Sequence, residues 1–362
     1  MKRKTAGLYD PYLDSMGGGE RHVLSMLEVL EKEAGYDPIV FWDEDLRDRI
    51  VKTLNLNFSN LQFKPNIFKN AGTVSKLTSL KDLDIFIYVT DGSYFFSTAK
   101  KNYVFCMVPR PDLFNNTMLN VLKTQNYSYI CNSEFTQSWL KKFGVDAQVL
   151  HPYISNEFLT LPLSHGTKEK TILVVGRFFA HLHSKRQDVA IKAFLQLKQH
   201  PQFSDYKLVL AGNVLDSDRG YVDMLHSMIG KNPSIEIRTN IPFSEIMNLY
   251  ETSRFYWHFT GYGIDDSMEP ERVEHFGITP LEAMASGCIT FCYKAGGPKS
   301  FIHHGENGFL FTSVEELQNQ MLEVVEHGAD MHNISERARR YVDTTFTYDH
   351  FKKKVLSVFN LL

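Results

Sequence analysis

Short apolar runs alternate with amphipathic helical patterns along the whole chain, and this alternation restricts the fold more than any other feature. In the second half, "TILVVG" (171–176) reads as a buried strand and "KRQDVAIKAFLQLKQ" (185–199) as a helix. That helix places Val189, Ala190, Ala193, Phe194 and Leu197 on one face. "KLVLAG" (207–212), "SIEIRT" (234–239), "RFYWHF" (254–259) and "CITFCY" (288–293) are further strands. Helical patterns lie near 219–229, 243–252, from Pro280, and near 313–327 and 333–344. The first half repeats the scheme less regularly. "TAGLY" (5–9), "PIVFW" (38–42), "DIFIYV" (84–89), "NYVFCMV" (102–108) and "YSYICN" (127–132) are its strands, with helices at 17–35 and 134–144. Strands alternating with helices imply an α/β fold with parallel sheets covered on both faces.

A chain of 362 residues exceeds what one hydrophobic core usually serves, so two domains are expected. The polar, Pro-bearing stretch 151–170 fits neither period and marks the boundary. The expected division is 1–160, 161–345 and a last helix, 346–362. Two such sheets in tandem would turn their ligand-binding strand ends toward a shared cleft. A net charge of −3 gives no global attraction to nucleic acid. The four cysteines, Cys106, Cys131, Cys288 and Cys292, sit in apolar runs with no C-x-x-C pair. They read as buried free thiols of a cytoplasmic protein. The basic start lacks an apolar segment behind it, so no signal peptide is expected, and no run is long enough to span a bilayer. Any membrane contact would be peripheral, at the inner face.

The stretch "EHFGITPLEAMASG" (274–287) brackets a Gly-containing turn with Glu274 and Glu282. Thr279, Pro280 and Glu282 fit N-cap, first helical position and a capping-box carboxylate, which is a structural reading. The functional reading uses the same geometry. A helix N-terminus suits phosphate, and Gly277 admits close backbone approach. Carboxylates on either side suit the hydroxyls of a ligand with sugars at both ends and phosphate between them. In "GRFFAHLHSKRQD" (176–188), Arg177 follows a strand and Lys185 opens a helix, where both can neutralise a diphosphate; solvated loop charges are the alternative. "DSMGGGERH" (14–22) is a Gly-rich turn that either cradles phosphate or is a plain tight turn. Gly296-Gly297 in "YKAGGPKSF" (293–301) forms another such turn before a Pro-started helix.

Together, "GGGE" (17–20), "VGRF" (175–178) with Lys185, the E-x7-E element from Glu274 to Glu282, and "AGGPKSFIHHGENGFLF" (295–311) resemble the retaining glycosyltransferases of family GT4, which have the GT-B fold. "WHFTGYGIDDSMEPERVEHFGI" (257–278) is similar, more weakly, to the α-1,2-mannosyltransferase branch of lipid-linked oligosaccharide assembly. The resemblance implies two Rossmann-like domains facing a central cleft, with the last helix crossing back to the first domain. It implies that Glu282 binds ribose and that Arg177 and Lys185 hold the diphosphate. Glu274 and the backbone of His275, Phe276, Gly277 and Ile278 would meet donor sugar and phosphate, and Gly18 and Gly19 would lie against the donor. It further implies a nucleotide-sugar donor, a saccharide or lipid-linked saccharide acceptor, anomeric retention and no cofactor or metal. Two departures stand out. Met107 in "FCMVPRPD" (105–112) occupies the place of a usual His, leaving Arg110 and Asp112 as acceptor-side residues, and Ser300 stands where an acidic residue is common.

Other readings compete. A non-catalytic nucleotide-sugar-binding subunit would fit Met107, but the E-x7-E pair with Arg177 and Lys185 speaks for turnover. A GT-B epimerase needs an acid–base pair at the sugar that is not evident, and a glycosidase has no use for a diphosphate clamp. His181 and His183 lack a second pair of ligands at zinc spacing. His22, His303 and His304 read as helix-surface or satisfied residues. Lys64, Lys69, Lys76 and Lys81, interleaved with Phe63, Phe68 and Leu77, read as a solvated loop, with contact to anionic lipid as the alternative.

Overall fold

The computed structural model describes residues 3–115, 117–163, 168–180, 184–326 and 331–362. Part of the boundary stretch, 164–167, and the pair His181 and His183 lie outside the described residues. The chain divides into two compact units, Met1–Tyr153 with Asp349–Leu362, and Ile154–Tyr348. The first unit ends before residue 160 because Ile154 and Phe158 are buried in the hydrophobic core of the second.

In the first unit seven strands form one parallel sheet: β1 (Thr5–Tyr9), β2 (Asp37–Phe41), β3 (Gln62–Lys64), β4 (Ile85–Val89), β5 (Lys101–Cys106), β6 (Tyr127–Cys131) and β7 (Ala147–Val149). Their order is β3-β2-β1-β4-β5-β6-β7. The order reverses between β1 and β4, so the ends of those strands flank the switch point. The closing helix, Tyr348–Val358, supplies residues to this unit. Its Phe351 meets His22 and Tyr153, Phe359 beyond it packs edge-on to Tyr103, and Lys101 donates to the Phe359 carbonyl at 2.8 Å. The expected return of the last helix is thus observed.

The second unit holds six parallel strands: β8 (Glu169–Val175), β9 (Lys207–Gly212), β10 (Ile235–Thr239), β11 (Ser253–His258), β12 (Ile289–Tyr293) and β13 (Phe309–Phe311). Their order is β10-β9-β8-β11-β12-β13, with the switch point between β8 and β11. Both faces are covered, as parallel sheets require. Phe255 and Trp257 join one core while the alternate Tyr256 joins the other. The expected face of the helix Gln187–Leu197 is buried as its spacing demands. β3, β7 and β13, three residues each, were not separable from loops by pattern, being too short to display a period.

Lys168, only 3% exposed, sets the start of β8. Its ammonium donates to the carbonyls of Tyr250, Glu251 and Ser253 at 3.1, 2.8 and 3.0 Å. These are carbonyls at the C-terminal end of the helix Phe243–Thr252 that the helix itself cannot satisfy. Lys168→Met keeps most of the apolar stem, removes the ammonium from the Glu251 carbonyl, and leaves those of Tyr250 and Ser253 to share the weak Cys288 thiol donor. The expected cost is about 2–4 kcal/mol in urea denaturation; an unchanged midpoint would contradict this role.

Candidate active site

Three side chains converge at the switch point of the second sheet. Gly176 follows β8 directly, and a Cβ there would fall 2.6 Å from Cγ of Lys185. The absent side chain lets the lysine stem cross the strand end. Its Nζ reaches Glu274 Oε2 at 2.5 Å. His258, the last residue of β11, sits on the same sheet face as Tyr256 and presents Nε2 to the same oxygen at 3.0 Å. Among the described residues, none donates to Oε1 of Glu274, which leaves one acceptor for a ligand.

The pair is enclosed: the Lys185 and Glu274 side chains are each 15% exposed and that of His258 is 2% exposed. Burial alone would raise the Glu274 carboxyl, but the Lys185 ammonium and the His258 N–H outweigh it and hold the group well below the usual carboxylate range. Burial lowers His258, with Glu274 partly opposing. The imidazole is therefore neutral near pH 7, and because an ionised carboxylate only accepts, Nε2 carries the proton.

The following helix, Ile278–Ala285, begins two residues earlier than Thr279 as cap would require. Gly277 is the N-cap at φ 110, a backbone region that favours glycine. Pro280 then falls at the third helical position and Glu282 at the fifth, so the expected capping box does not form. Thr279 instead accepts from the buried Tyr256 hydroxyl at 2.8 Å, and Glu282 accepts from Tyr250 at 3.1 Å. The first-turn N–H groups of Ile278 and Thr279 have no intrahelical acceptor, the usual condition of a helix start. The double glycine packs against this turn: Gly297 donates to the Glu274 carbonyl at 2.7 Å, and a Cβ on Gly296 would lie 2.0 Å from that same oxygen. Asp266 holds the turn from the other side, accepting from the Gly296 N–H at 2.8 Å and pairing with Lys299 at 2.5 Å. The glycines thus serve backbone-to-backbone packing that positions Glu274.

His275 and Phe276 are buried. Burial pushes His275 down to about 4, so it is neutral. Phe276 packs on Phe301 and Phe346 and belongs to the core; only its backbone can serve a ligand. Arg177 lies 4.4 Å over the Phe179 ring. Lys185 does not open the helix; it precedes Arg186, which is the N-cap at φ 51, and the helix starts at Gln187.

In the first unit, Gly17 caps the helix Gly18–Ala34, and its N–H donates to the Glu20 carboxylate at 2.7 Å. A Cβ on Gly19 would fall 2.4 Å from Sδ of Met107, so the thioether rests against the glycine backbone. Arg110 and Asp112 pair with each other at 2.5 Å and are 38% and 60% exposed. His22 is not on the surface: it is buried against Phe105, and burial pushes it down to about 3. Asp10, directly after β1, is 1% exposed. Its Oδ1 accepts from the Tyr12 N–H at 2.9 Å, while Oδ2 has no partner among the described residues. Burial, then the neighbouring Glu20, pushes this carboxyl up to about 8.

Sequence reasoning passed over His258 and Asp10. The first looked like one more residue of an apolar strand, and its contact with Glu274 spans sixteen positions. The second carried a weak signal, a carboxylate directly after an otherwise apolar strand.

The family model described as "Glycosyl transferases group 1" matches residues 160–341, half of the chain. A Dictyostelium discoideum protein named GDP-Man:Man(3)GlcNAc(2)-PP-Dol alpha-1,2-mannosyltransferase is 22% identical over 97% of this chain and 83% of its own length. The human protein of that name is 27% identical over 60% of this chain, which spans 44% of it. The lipopolysaccharide core biosynthesis mannosyltransferase LpcC of Rhizobium leguminosarum bv. viciae is 27% identical over 60% of this chain and 58% of its own length. Among solved structures, a glycosyltransferase from Rickettsia africae superposes with a TM-score of 0.73, 17% identity and coverage of 99% and 98% of the two chains. Anabaena HepE in complex with UDP and glucose gives 0.72 at 18% identity over 99% of this chain and all of that one. The likeness to these structures shows the fold, two Rossmann-like units of the GT-B type.

Asp10 generates a pH prediction. Its folded pKa of about 8 lies above the ordinary carboxylate value, so the native state binds the proton more tightly than the unfolded chain. The associated stability is complete below about pH 4 and is lost as pH rises toward 8. Asp10→Asn mimics the protonated form. It should gain on the wild type between pH 4 and 8, by on the order of a few kcal/mol in chemical denaturation. Parallel curves across that range would show that Asp10 titrates normally.

Proposed function

Because the chain belongs to the group 1 glycosyltransferases, of GT4 type, and transfers sugar from a nucleotide sugar, we propose that it moves mannose from GDP-mannose to a lipid-linked saccharide, with retention and without a metal. The observation that carries this reading is the Glu274 carboxylate. It is held ionised between Lys185 and His258 at the mouth of the second sheet, one turn ahead of a glycine-capped helix. Transfer of mannose is supported by the names of the relatives from Dictyostelium and Rhizobium, and GDP-mannose with a lipid-linked acceptor by that of the Dictyostelium protein.

In this reading the diphosphate meets the first-turn N–H groups of Ile278 and Thr279, with Lys185 and Arg177 as cations. Lys185 then shares its charge between Glu274 and phosphate. Glu274 Oε1 accepts from a hydroxyl of the hexose, and Glu282, fixed by Tyr250, accepts from the ribose. The acceptor oxygen bonds to the anomeric carbon as the bond from that carbon to the β-phosphate oxygen breaks. The acceptor proton passes to the leaving diphosphate, so atoms and charge balance without a metal or an external base. His258 acts as a positioning residue, directing Glu274 without touching the sugar. Gly18 and Gly19 serve donor binding, and Arg110 and Asp112 serve the acceptor side.

The test is a thermal-shift panel followed by turnover. GDP and GDP-mannose should raise the melting temperature more than UDP or UDP-glucose, and Glu282→Ala should shrink that shift. Release of GDP in the presence of a polyprenyl-diphosphate oligosaccharide should persist in EDTA, and the product should retain the α-configuration by NMR. Glu274→Gln should lower kcat roughly 10²-fold or more. His258→Leu should lower kcat with less effect on KM, and His258→Gln, which keeps a donor, should restore part of it. Stabilisation by no nucleoside diphosphate would sink the reading. GDP binding without release across acceptors would favour a non-catalytic subunit.

A further inference from the structure

Amphipathic helices on a protein surface turn their apolar stripe inward. The short helix Met118–Lys123 in the first unit does the reverse. Met118, Leu119, Val121 and Leu122 are 91%, 56%, 53% and 55% exposed, and no residue of the helix is buried. At 100° per residue these four positions fall on one continuous arc. The opposite side carries Asn120 and Lys123, which are only half-exposed. Asn120 turns toward the protein, donating to the Asn115 carbonyl at 2.9 Å, while Thr117 caps the helix. Scattered apolar residues on a surface need no explanation, but four in six positions, all facing water, do.

The surroundings of this helix are cationic and aromatic. No Asp or Glu occurs between residues 113 and 133. Phe114, just ahead of the helix, stacks on Phe143, and Phe143 meets Trp139. Lys142 Nζ lies 3.5 Å from the centre of the Trp139 ring, and Lys141 and Lys142 are exposed. The flanking acids Asp112 and Glu134 are already engaged, by Arg110 at 2.5 Å and by His151 at 2.9 Å, and against exposed Asp146 stand Lys123, Lys141 and Lys142. An apolar face with Trp and lysines at its border has the chemistry of a bilayer interface, where acyl chains take the apolar side chains and anionic headgroups take the ammonium groups.

We propose that the helix Met118–Lys123, with Trp139, Lys141 and Lys142 joined to its leading end through the stacked Phe114 and Phe143, docks this protein onto an anionic lipid surface. The basic stretch from Lys64 to Lys81 does not offer such a face. Phe68 there is buried and stacked 4.1 Å from Tyr9, Lys69 sits over Trp42, and Lys76 sits over Phe68. The docking surface accords with a lipid-linked acceptor but does not depend on the donor assignment, since it rests on a separate part of the first unit.

Co-sedimentation of the full chain with phosphatidylcholine vesicles, with and without phosphatidylglycerol, tests the proposal. The wild type should pellet with the anionic vesicles and less so in high salt. The variant Met118→Ser, Leu119→Ser, Val121→Ser, Leu122→Ser should lose binding roughly tenfold or more. Lys141→Gln with Lys142→Gln should lose several-fold, and only on anionic vesicles. Lys64→Gln with Lys76→Gln should bind as the wild type does. An unchanged melting temperature and an unchanged shift with GDP would show that the variants fold. If no nucleotide shifts either protein while the lipid results hold, the donor reading fails and this one stands. Equal pelleting by the serine variant, or loss of binding with the Lys64 and Lys76 pair, would overturn the proposal. So would a wild type that ignores vesicles and self-associates through this helix, or that binds a protein there instead.

Discussion

One oxygen of one buried carboxylate organises the second unit's strand edge. Glu274 Oε2 takes the Lys185 ammonium, whose stem crosses the end of β8, together with the His258 imidazole at the end of β11. A carboxylate withdrawn from water is costly unless its charge is met, and a single ammonium leaves little margin. The second donor matters because it is neutral: it adds a hydrogen bond without adding a like charge beside Lys185. Removing either partner would leave a buried ion half-compensated, a larger penalty than the bond itself is worth. That is why the lysine stem must cross at Gly176, and why the turn at Gly296-Gly297 must press against the Glu274 carbonyl. These glycines are geometric requirements of one electrostatic arrangement.

The strand-and-helix alternation was legible because both periods extend over long runs, and the core face of the helix Gln187–Leu197 followed from spacing alone. Strands of three residues were not, since a period needs repetition. At the site, the residue types in the E-x7-E stretch were legible but the cap was not. Thr279 has the side chain of an N-cap, yet Tyr256 claims its oxygen, and Gly277 can adopt the backbone angle that the turn requires. Tertiary hydrogen bonding overrode a local preference. His258 was illegible for a related reason: alternation within a strand tells which face a residue occupies, not which charged group waits there sixteen residues later.

The first unit places a different kind of carboxylate at its own switch point. Glu274 is kept charged by donors, whereas Asp10 is kept protonated by burial and by Glu20. A protonated carboxyl can donate as well as accept, and its Oδ2 is unmatched among the described residues. Nearby, Met107 fills the space above Gly19 with a thioether. A thioether neither donates nor titrates near neutrality, so a polar partner on this strand edge must come from elsewhere, and the buried groups directly after β1 and β4, Asp10 and Thr90, are placed to supply it.

Lys185 links the resting arrangement to the proposed chemistry. In that proposal a diphosphate, which carries more charge than Glu274, would draw the ammonium toward phosphate and weaken the contact with the carboxylate. Glu274 would then depend more heavily on His258. As the leaving diphosphate gained negative charge, the pull on Lys185 would grow further, and the carboxylate would be released toward the sugar, where positive charge would develop at the anomeric carbon. Sharing one lysine between two anions would thus couple bond cleavage to the strengthening of a favourable contact at the reacting centre, which is the condition for catalysis as opposed to mere binding. A neutral, buried imidazole is suited to the role of constant partner because its hydrogen bond does not compete with the phosphate.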